Sequence, residues 1–168
     1  EDFHFLYGSY PPGGAATAIG AFAAAYGEHF GQEGLEETLA DYLAVAPALI
    51  PPFAALLRGE DGSGSDESSR LTKDTLQTAF VHVTRALAAE RPTIVVVDDL
   101  HFAPEEGRSL FAALALAAPG HRFLLVGGTR PGVPEDWTAG ILRQEHGSLQ
   151  MLSRLSDRDV ERILAEAL

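Results

Sequence analysis

Cysteine is absent from this chain, and lysine, methionine and tryptophan occur once each in 168 residues. Without cysteine there is no disulfide framework and no thiolate metal site. The single lysine is Lys73, and no stretch forms a basic stripe, so nucleic acid is not expected as a direct partner. No apolar run is long and charge-free enough for a membrane helix, and no Lys/Arg-led leader opens the sequence. An acidic surface also repels anionic lipid. The expected setting is cytoplasmic, away from membranes. The only methionine is Met151 and the first residue is Glu1, so the sequence reads as a piece of a longer protein.

What is present is acid and a sizeable apolar fraction. Hydrophobic residues make up 46% and charged residues 21%, the balance of a folded domain. The net charge of -12 is uneven: residues 1–69 carry 11 acids against Arg58 alone, whereas residues 70–168 carry 13 acids and 11 bases.

Residues 3–7 are aromatic and apolar and end at Gly8, which predicts a short strand. Residues 11–14 predict a loop. Helical spacing of Ile19, Phe22, Ala23 and Tyr26 predicts a helix over 15–30, and a second follows over 35–45. Pro47, Pro51 and Pro52 punctuate the chain before one or two helical turns at 53–57. Residues 59–69, GEDGSGSDESS, predict an exposed, mobile acidic loop. An amphipathic helix is expected from 71 to about 90, stopped by Pro92.

The second half alternates. Residues 93–97 are a β-branched run without polar alternation, which predicts a strand buried on both faces. Pro104 opens a predicted helix to about residue 118, and residues 123–126 predict a second buried strand. A short helix is expected over 137–144 and a weakly alternating strand over 149–155. Ser156 caps a last helix over 157–168, with Asp159 completing a capping box. Strand–helix–strand order with buried strands predicts an α/β fold with a parallel sheet, whose ligands sit at the carboxyl ends of the strands.

Two strand ends carry chemistry. In IVVVDDLH (residues 94–101) an apolar strand runs into adjacent carboxylates, Asp98 and Asp99. Neighbouring acids at a buried strand end are desolvated and repel each other, and a cation relieves both penalties. Carboxylate oxygens suit Mg²⁺, which binds through one or two acids together with substrate phosphates. Asp98 is then the metal residue and Asp99 the residue that orients an attacking water. The plainer alternative is that both acids cap the following turn. In FLLVGGTR (residues 123–130) a second strand ends in Thr129 and Arg130, placed to face the same crevice, with Arg130 able to reach a terminal phosphate. Alternatively Arg130 is a surface cation held by a nearby acid. His101 is expected to pack on Phe102 rather than to serve as a catalytic base or a metal ligand, and the other histidines show no ligand spacing. Ser9 and Thr17 have no adjacent base in sequence, so no nucleophilic triad is expected.

IVVVDDLHFA, the helix after it, FLLVGGTRPG and the closing MLSRLSDRDVERIL resemble the second half of a STAND-type AAA ATPase domain, found in bacterial signalling proteins. The opening FHFLYGSYPPGG is similar to that family's second core strand and the helical region following its phosphate loop. PGGAATA, LLRGE, LTKDTLQTAF and DLHFAPEEGRSLF are similar to the ATPase region of large bacterial serine/threonine protein kinase–ATPase fusions. The resemblance spans nearly the whole chain. It implies a partial P-loop NTPase fold of the ASCE type, a parallel sheet flanked by helices and lacking the P-loop strand. Residues 1–58 then hold the second core strand and helical region, 59–69 the loop, and 70–168 the Walker B and sensor half. It also implies ATP and Mg²⁺ as ligands of the complete domain. Asp98 would serve the metal, Asp98 and Thr129 the nucleotide, and Asp99 and Arg130 catalysis. Neighbouring domains of the same chain are the implied partners.

The chain departs from the family at its phosphate cradle, G-x-x-x-x-G-K-[ST], which is missing. Lys73 follows Thr72 rather than glycine, no lysine follows Gly13-Gly14, and Asp66 and Glu67 separate the glycines of 59–64 from Lys73. The P-loop strand and helix are therefore expected upstream of Glu1. In the family that strand lies between the sensor strand and the last strand. A sheet of three neighbours is thus expected here, with the segment near Met151 loose or separated, and no ATP hydrolysis by this chain alone. A competing expectation is a degenerate NTPase fold used as a docking scaffold, its acidic N-terminal half facing a basic protein. A phosphorelay receiver is set aside, because no lysine and no Asp-ended strand follow Asp99.

Overall fold

Three parallel strands, β1 (His4–Ser9), β2 (Thr93–Asp98) and β3 (Phe123–Gly127), form one sheet in the order β1-β2-β3. They belong to a computed structural model that describes residues 2–13, 17–60, 72–144 and 146–167. The helices are α1 (Gly20–Phe30), α2 (Leu35–Tyr42), α3 (Ile50–Leu57), α4 (Lys73–Glu90), α5 (Glu105–Ala117), α6 (Glu135–Leu142) and α7 (Asp157–Ala167). The α/β architecture with a parallel sheet expected from the alternation of strand and helix is present.

The register lines Leu6, Val95 and Leu125 across the sheet on one face. Helices α1 and α4 lie on that face, α5 packs against α4, and α2 and α3 close the outside. Gly8 lets α1 approach β1, because a Cβ there would collide with the Ala21 carbonyl. Four aromatic rings fill the interior between these layers. Phe22, Tyr26 and Phe53 each meet Phe80 edge-on, with centroids 6.0, 5.0 and 4.9 Å away. The Thr84 hydroxyl donates to the Phe80 carbonyl at 2.6 Å, so the buried Tyr26 hydroxyl donates to Thr84 Oγ1 at 2.5 Å. Both polar groups are thereby satisfied inside the core.

The opposite face corrects an expectation. Residues 93–97 and 123–126 were expected to be buried on both faces. Instead, among the described residues, the sheet is covered on one face only. Phe5, Ile94 and Leu124 form one row on the open face, and Tyr7, Val96 and Val126 form the next. Phe5 and Leu124 are 54% and 57% exposed, which shows that no described element lies over them. Parallel sheets normally carry cover on both faces, and an apolar run encodes that need without naming the element that meets it.

Other boundaries moved for local reasons. Helix α3 starts at Ile50, ahead of the expected residue 53, because Pro51 and Pro52 fit a first helical turn where no N–H is needed. Among the described residues the first helix begins at Gly20, and the second ends at Tyr42 rather than residue 45. Thr72 caps α4 by accepting the Thr75 N–H at 3.2 Å. Of the acidic loop expected at 59–69, all but Gly59 and Glu60 lie outside the described residues. The capping box of α7 is formed: Asp159 N–H donates to Ser156 Oγ at 3.2 Å and Ser156 N–H to Asp159 Oδ2 at 3.3 Å. Residues 149–155, expected to be a strand, form none, and Leu149, Met151, Leu152 and Leu155 are exposed. No helix among the described residues is long and apolar enough to cross a membrane.

At the amino end of the sheet, His4 on β1, His29 at the end of α1 and Glu90 at the end of α4 converge. The His4 and His29 rings meet edge-on at 5.0 Å, His4 Nε2 lies 3.6 Å from Glu90 Oε2, and the Tyr42 hydroxyl donates to the same oxygen at 3.2 Å. Burial first, and His4 second, hold the His29 pKa below its ordinary value of 6.5, with Glu90 opposing them. The unfolded chain therefore takes up this proton first as pH falls. His29 costs nothing above about pH 6.5 and destabilises the fold progressively below it. The expected result is a melting temperature that drops less between pH 7.5 and 5.5 in His29→Gln than in the unmodified chain, read by circular dichroism. Equal drops would remove His29 from the acid sensitivity of the fold.

Candidate functional site

The carboxyl ends of β2 and β3 bring all four expected residues to one end of the sheet. Asp98 is the last residue of β2 and is half-buried. Its Oδ1 accepts the Asp99 N–H at 2.8 Å and lies against Gly128 so closely that a Cβ there would collide with it. Glycine is therefore required at 128 if the carboxylate is to keep this position. The second oxygen of Asp98 has no hydrogen-bond donor among the described residues.

Asp99 adopts a left-handed conformation at φ 55, ψ 37 and opens the short 3₁₀ turn Leu100–Phe102. It is the one non-glycine residue with positive φ among the described residues. Such a conformation costs an ordinary side chain about 1 kcal/mol or more and is tolerated best by Asn and Asp. It turns the backbone after the strand into the short 3₁₀ turn.

The turn after β3 is fastened to the turn after β2. Gly128 N–H donates to the Val97 carbonyl and Leu100 N–H to the Gly128 carbonyl, both at 2.9 Å. The next amide, Arg130 N–H, donates to His101 Nδ1 at 3.4 Å. The His101 ring packs on Phe102 with centroids 4.0 Å apart, as its sequence neighbourhood suggested. Thr129 and Arg130 are exposed, and the Thr129 hydroxyl donates to the Arg130 carbonyl at 3.0 Å. No ion pair joins Arg130 to an acid within 4.0 Å among the described residues, so the alternative of a clamped surface arginine finds no partner there.

One neighbour was not legible beforehand. Ser9, the last residue of β1, is in register with Asp98, and Tyr10 N–H donates to the Asp98 carbonyl at 3.2 Å. Sequence inspection looked for a base beside Ser9 along the chain, and only strand pairing reveals the acid next to it. Ser9 and Asp98 continue the column of the open face, beyond Tyr7 and Val96.

The donor set limits what this end of the sheet can hold. No group of three or more His, Asp or Glu side chains among the described residues is arranged to hold a metal ion. A dedicated protein cage is thus not built here. A hard cation held by Asp98, waters and the phosphates of a substrate remains within the chemistry of the site. Two surface hollows, of about 410 Å³ beside Gln77 and His82 and about 210 Å³ beside Leu116 and Trp137, lie along the helices, and neither is lined by Asp98, Asp99, Thr129 or Arg130.

The chain is 27% identical over 126 residues to an uncharacterized protein of Rhizobium meliloti. That match covers 74% of this chain and 11% of the relative, so the chain spans about a tenth of the length of the curated protein it matches. No solved structure matches the chain. No family model matches it either, and the fold and the site geometry therefore carry the functional argument.

Proposed function

We propose that this chain is part of an ATP-binding and ATP-hydrolysing switch domain of a larger bacterial regulatory protein, similar to the serine/threonine kinase–ATPase fusions it resembles. The carrying observation is the convergence of an acid pair and a Thr-Arg pair at the carboxyl ends of adjacent parallel strands, beside an uncovered sheet face. The missing phosphate cradle belongs to a strand–loop–helix unit, with its strand on the free edge of β3 and its helix over the open face. Segment 149–155, which forms no strand, would pair with the far edge of that added strand.

In this reading Asp98 holds Mg²⁺, directly or through water, and Thr129 contacts the nucleotide. Mg²⁺ supplies charge neutralisation at the phosphates. Asp99 orients a water for attack on the γ-phosphorus, where a P–O bond to water forms and the bond to ADP breaks. Arg130 faces the negative charge of the γ-phosphoryl oxygens. Exchange of ATP for ADP then repositions neighbouring domains.

A second reading, a scaffold without catalysis, is favoured by the charge of the N-terminal half. Its one base, Arg58, is already forked onto Glu36 at 2.6 and 2.5 Å, which leaves an acidic surface for a basic protein. A titration with Mg-ATP separates the two, using this chain and a longer form of the polypeptide carrying roughly 40–60 further upstream residues, one strand–loop–helix unit. Binding by the longer form alone supports the switch. Binding by neither supports the scaffold.

A further inference from the structure

We infer that His101 is a positioning residue: its imidazole ties the acid-bearing turn after β2 to the Thr129–Arg130 turn after β3, and so sets where Arg130 starts. What Arg130 does once placed rests on the functional reading above. The tie itself does not.

The argument begins with the proton on the ring. Nδ1 accepts the Arg130 N–H, so it carries no hydrogen, and the neutral ring has its hydrogen on Nε2. That Nε2 is buried and has no hydrogen-bond partner among the described residues. A buried donor without a partner is a free-energy cost that a phenylalanine in the same place, stacked on Phe102 in the same way, does not carry. The ring is therefore poorly explained as packing alone. What imidazole provides and a hydrocarbon ring does not is the acceptor at Nδ1.

That acceptor sits where it matters. The two preceding links between the turns, at Gly128 and Leu100, run from backbone to backbone and need no side-chain acceptor. The Arg130 amide is the first link to depend on a side chain, and it lies at the residue whose guanidinium is unpaired and exposed. The same tautomer also affects Asp99. Asp99 Oδ1 lies 3.8 Å from Nδ1, and an Nδ1 that accepts from Arg130 has no proton to give it. The carboxylate stays available to water while the ring holds the other turn.

The test uses this chain labelled with ¹⁵N and needs no nucleotide. Imidazole spectra are expected to show His101 protonated on Nε2 and bare at Nδ1. Hydrogen exchange at the Arg130 amide is expected to be about fivefold faster in His101→Phe, the consequence of losing one ordinary hydrogen bond. Exchange at Gly128 and Leu100 is expected to stay unchanged, and His101→Asn, which restores an acceptor near Nδ1, to recover slow exchange at Arg130. A ring protonated on Nδ1, or equal exchange at Arg130 in the unmodified chain and His101→Phe, overturns the inference. If the phenylalanine variant does not fold, the ring tautomer in the unmodified chain decides alone. In the longer form, His101→Phe is expected to lower kcat for ATP with KM unchanged. A longer form without ATPase activity would end the switch reading and leave the tautomer and exchange results standing.

Discussion

Under the switch reading, Asp98→Asn is expected to cut Mg²⁺-dependent ATP hydrolysis by the longer polypeptide by about a hundredfold or more, the usual scale for losing one charge stabiliser in a reaction centre. The substitution is chosen because it separates chemistry from folding. Asparagine keeps an oxygen able to accept the Asp99 N–H, so the bond at 2.8 Å that shapes the turn is retained. It also keeps the size of the group lodged against Gly128. What it removes is the negative charge, and with it the repulsion between two neighbouring acids. The metal-free melting temperature is therefore expected to stay level or rise slightly while activity collapses. Hydrolysis within about threefold of the unmodified protein would show that Asp98 merely caps the turn, and the Mg²⁺ assignment would fall. Steady-state phosphate release and a thermal melt on the same preparation supply both readouts.

Phe80→Ala is expected to be the most damaging single change to the fold, at about 3–5 kcal/mol for a large side chain removed from a packed core. Phe80 is fully buried and is the common partner of Phe22, Tyr26 and Phe53. Its loss leaves three rings without their shared contact, and helix α1, helix α3 and helix α4 can no longer pack through one point. Against a total of about 5–15 kcal/mol for a typical domain, that is a large share. Urea denaturation should show a lower midpoint with an unchanged slope, and the melting temperature should fall by roughly 6–20 °C. As a comparison, Leu124→Ser on the open face is expected to cost about 0.5 kcal/mol or less, because Leu124 is already 57% exposed. A loss below about 1 kcal/mol for Phe80→Ala would mean that the aromatic cluster does not carry the packing of the helices.

The strands of this protein were legible because their ends are marked. The β-branched run Ile94–Val97 marks a strand, and the abrupt change to Asp98-Asp99 places its carboxyl end to the residue. The same logic placed Thr129 and Arg130 just beyond β3. Apolarity misleads where it states a need rather than a fact: Leu124 and Val126 have the composition of covered residues and are exposed. Residues 149–155 show the same thing for an edge, with a strand-like pattern and no strand beside it. Proline was misjudged in α3, where it initiates rather than interrupts. Within the site, the left-handed Asp99 and the His101–Arg130 link were out of reach. The first depends on one backbone torsion, and the second joins residues 29 positions apart. No local pattern encodes such a contact, because it exists only once β2 and β3 lie side by side.

The column that runs from Phe5 and Tyr7 to Ser9, and from Ile94 and Val96 to Asp98, has a thermodynamic consequence. Greasy surface and charged site share one face of one sheet, separated by one same-face step of two residues along the strand. An element that closes over the apolar rows ends beside Asp98, and a ligand seated at Asp98 meets that element. The two binding events are then linked, and linkage is reciprocal: whatever factor the cover adds to the affinity for ligand, the ligand adds to the affinity for the cover. A sheet left bare on one side is in this sense a reporter. Under the switch reading, how tightly its cover is held would read out whether the acids at its end are occupied, and the apolar face would be the means by which a small molecule is made known to neighbouring domains.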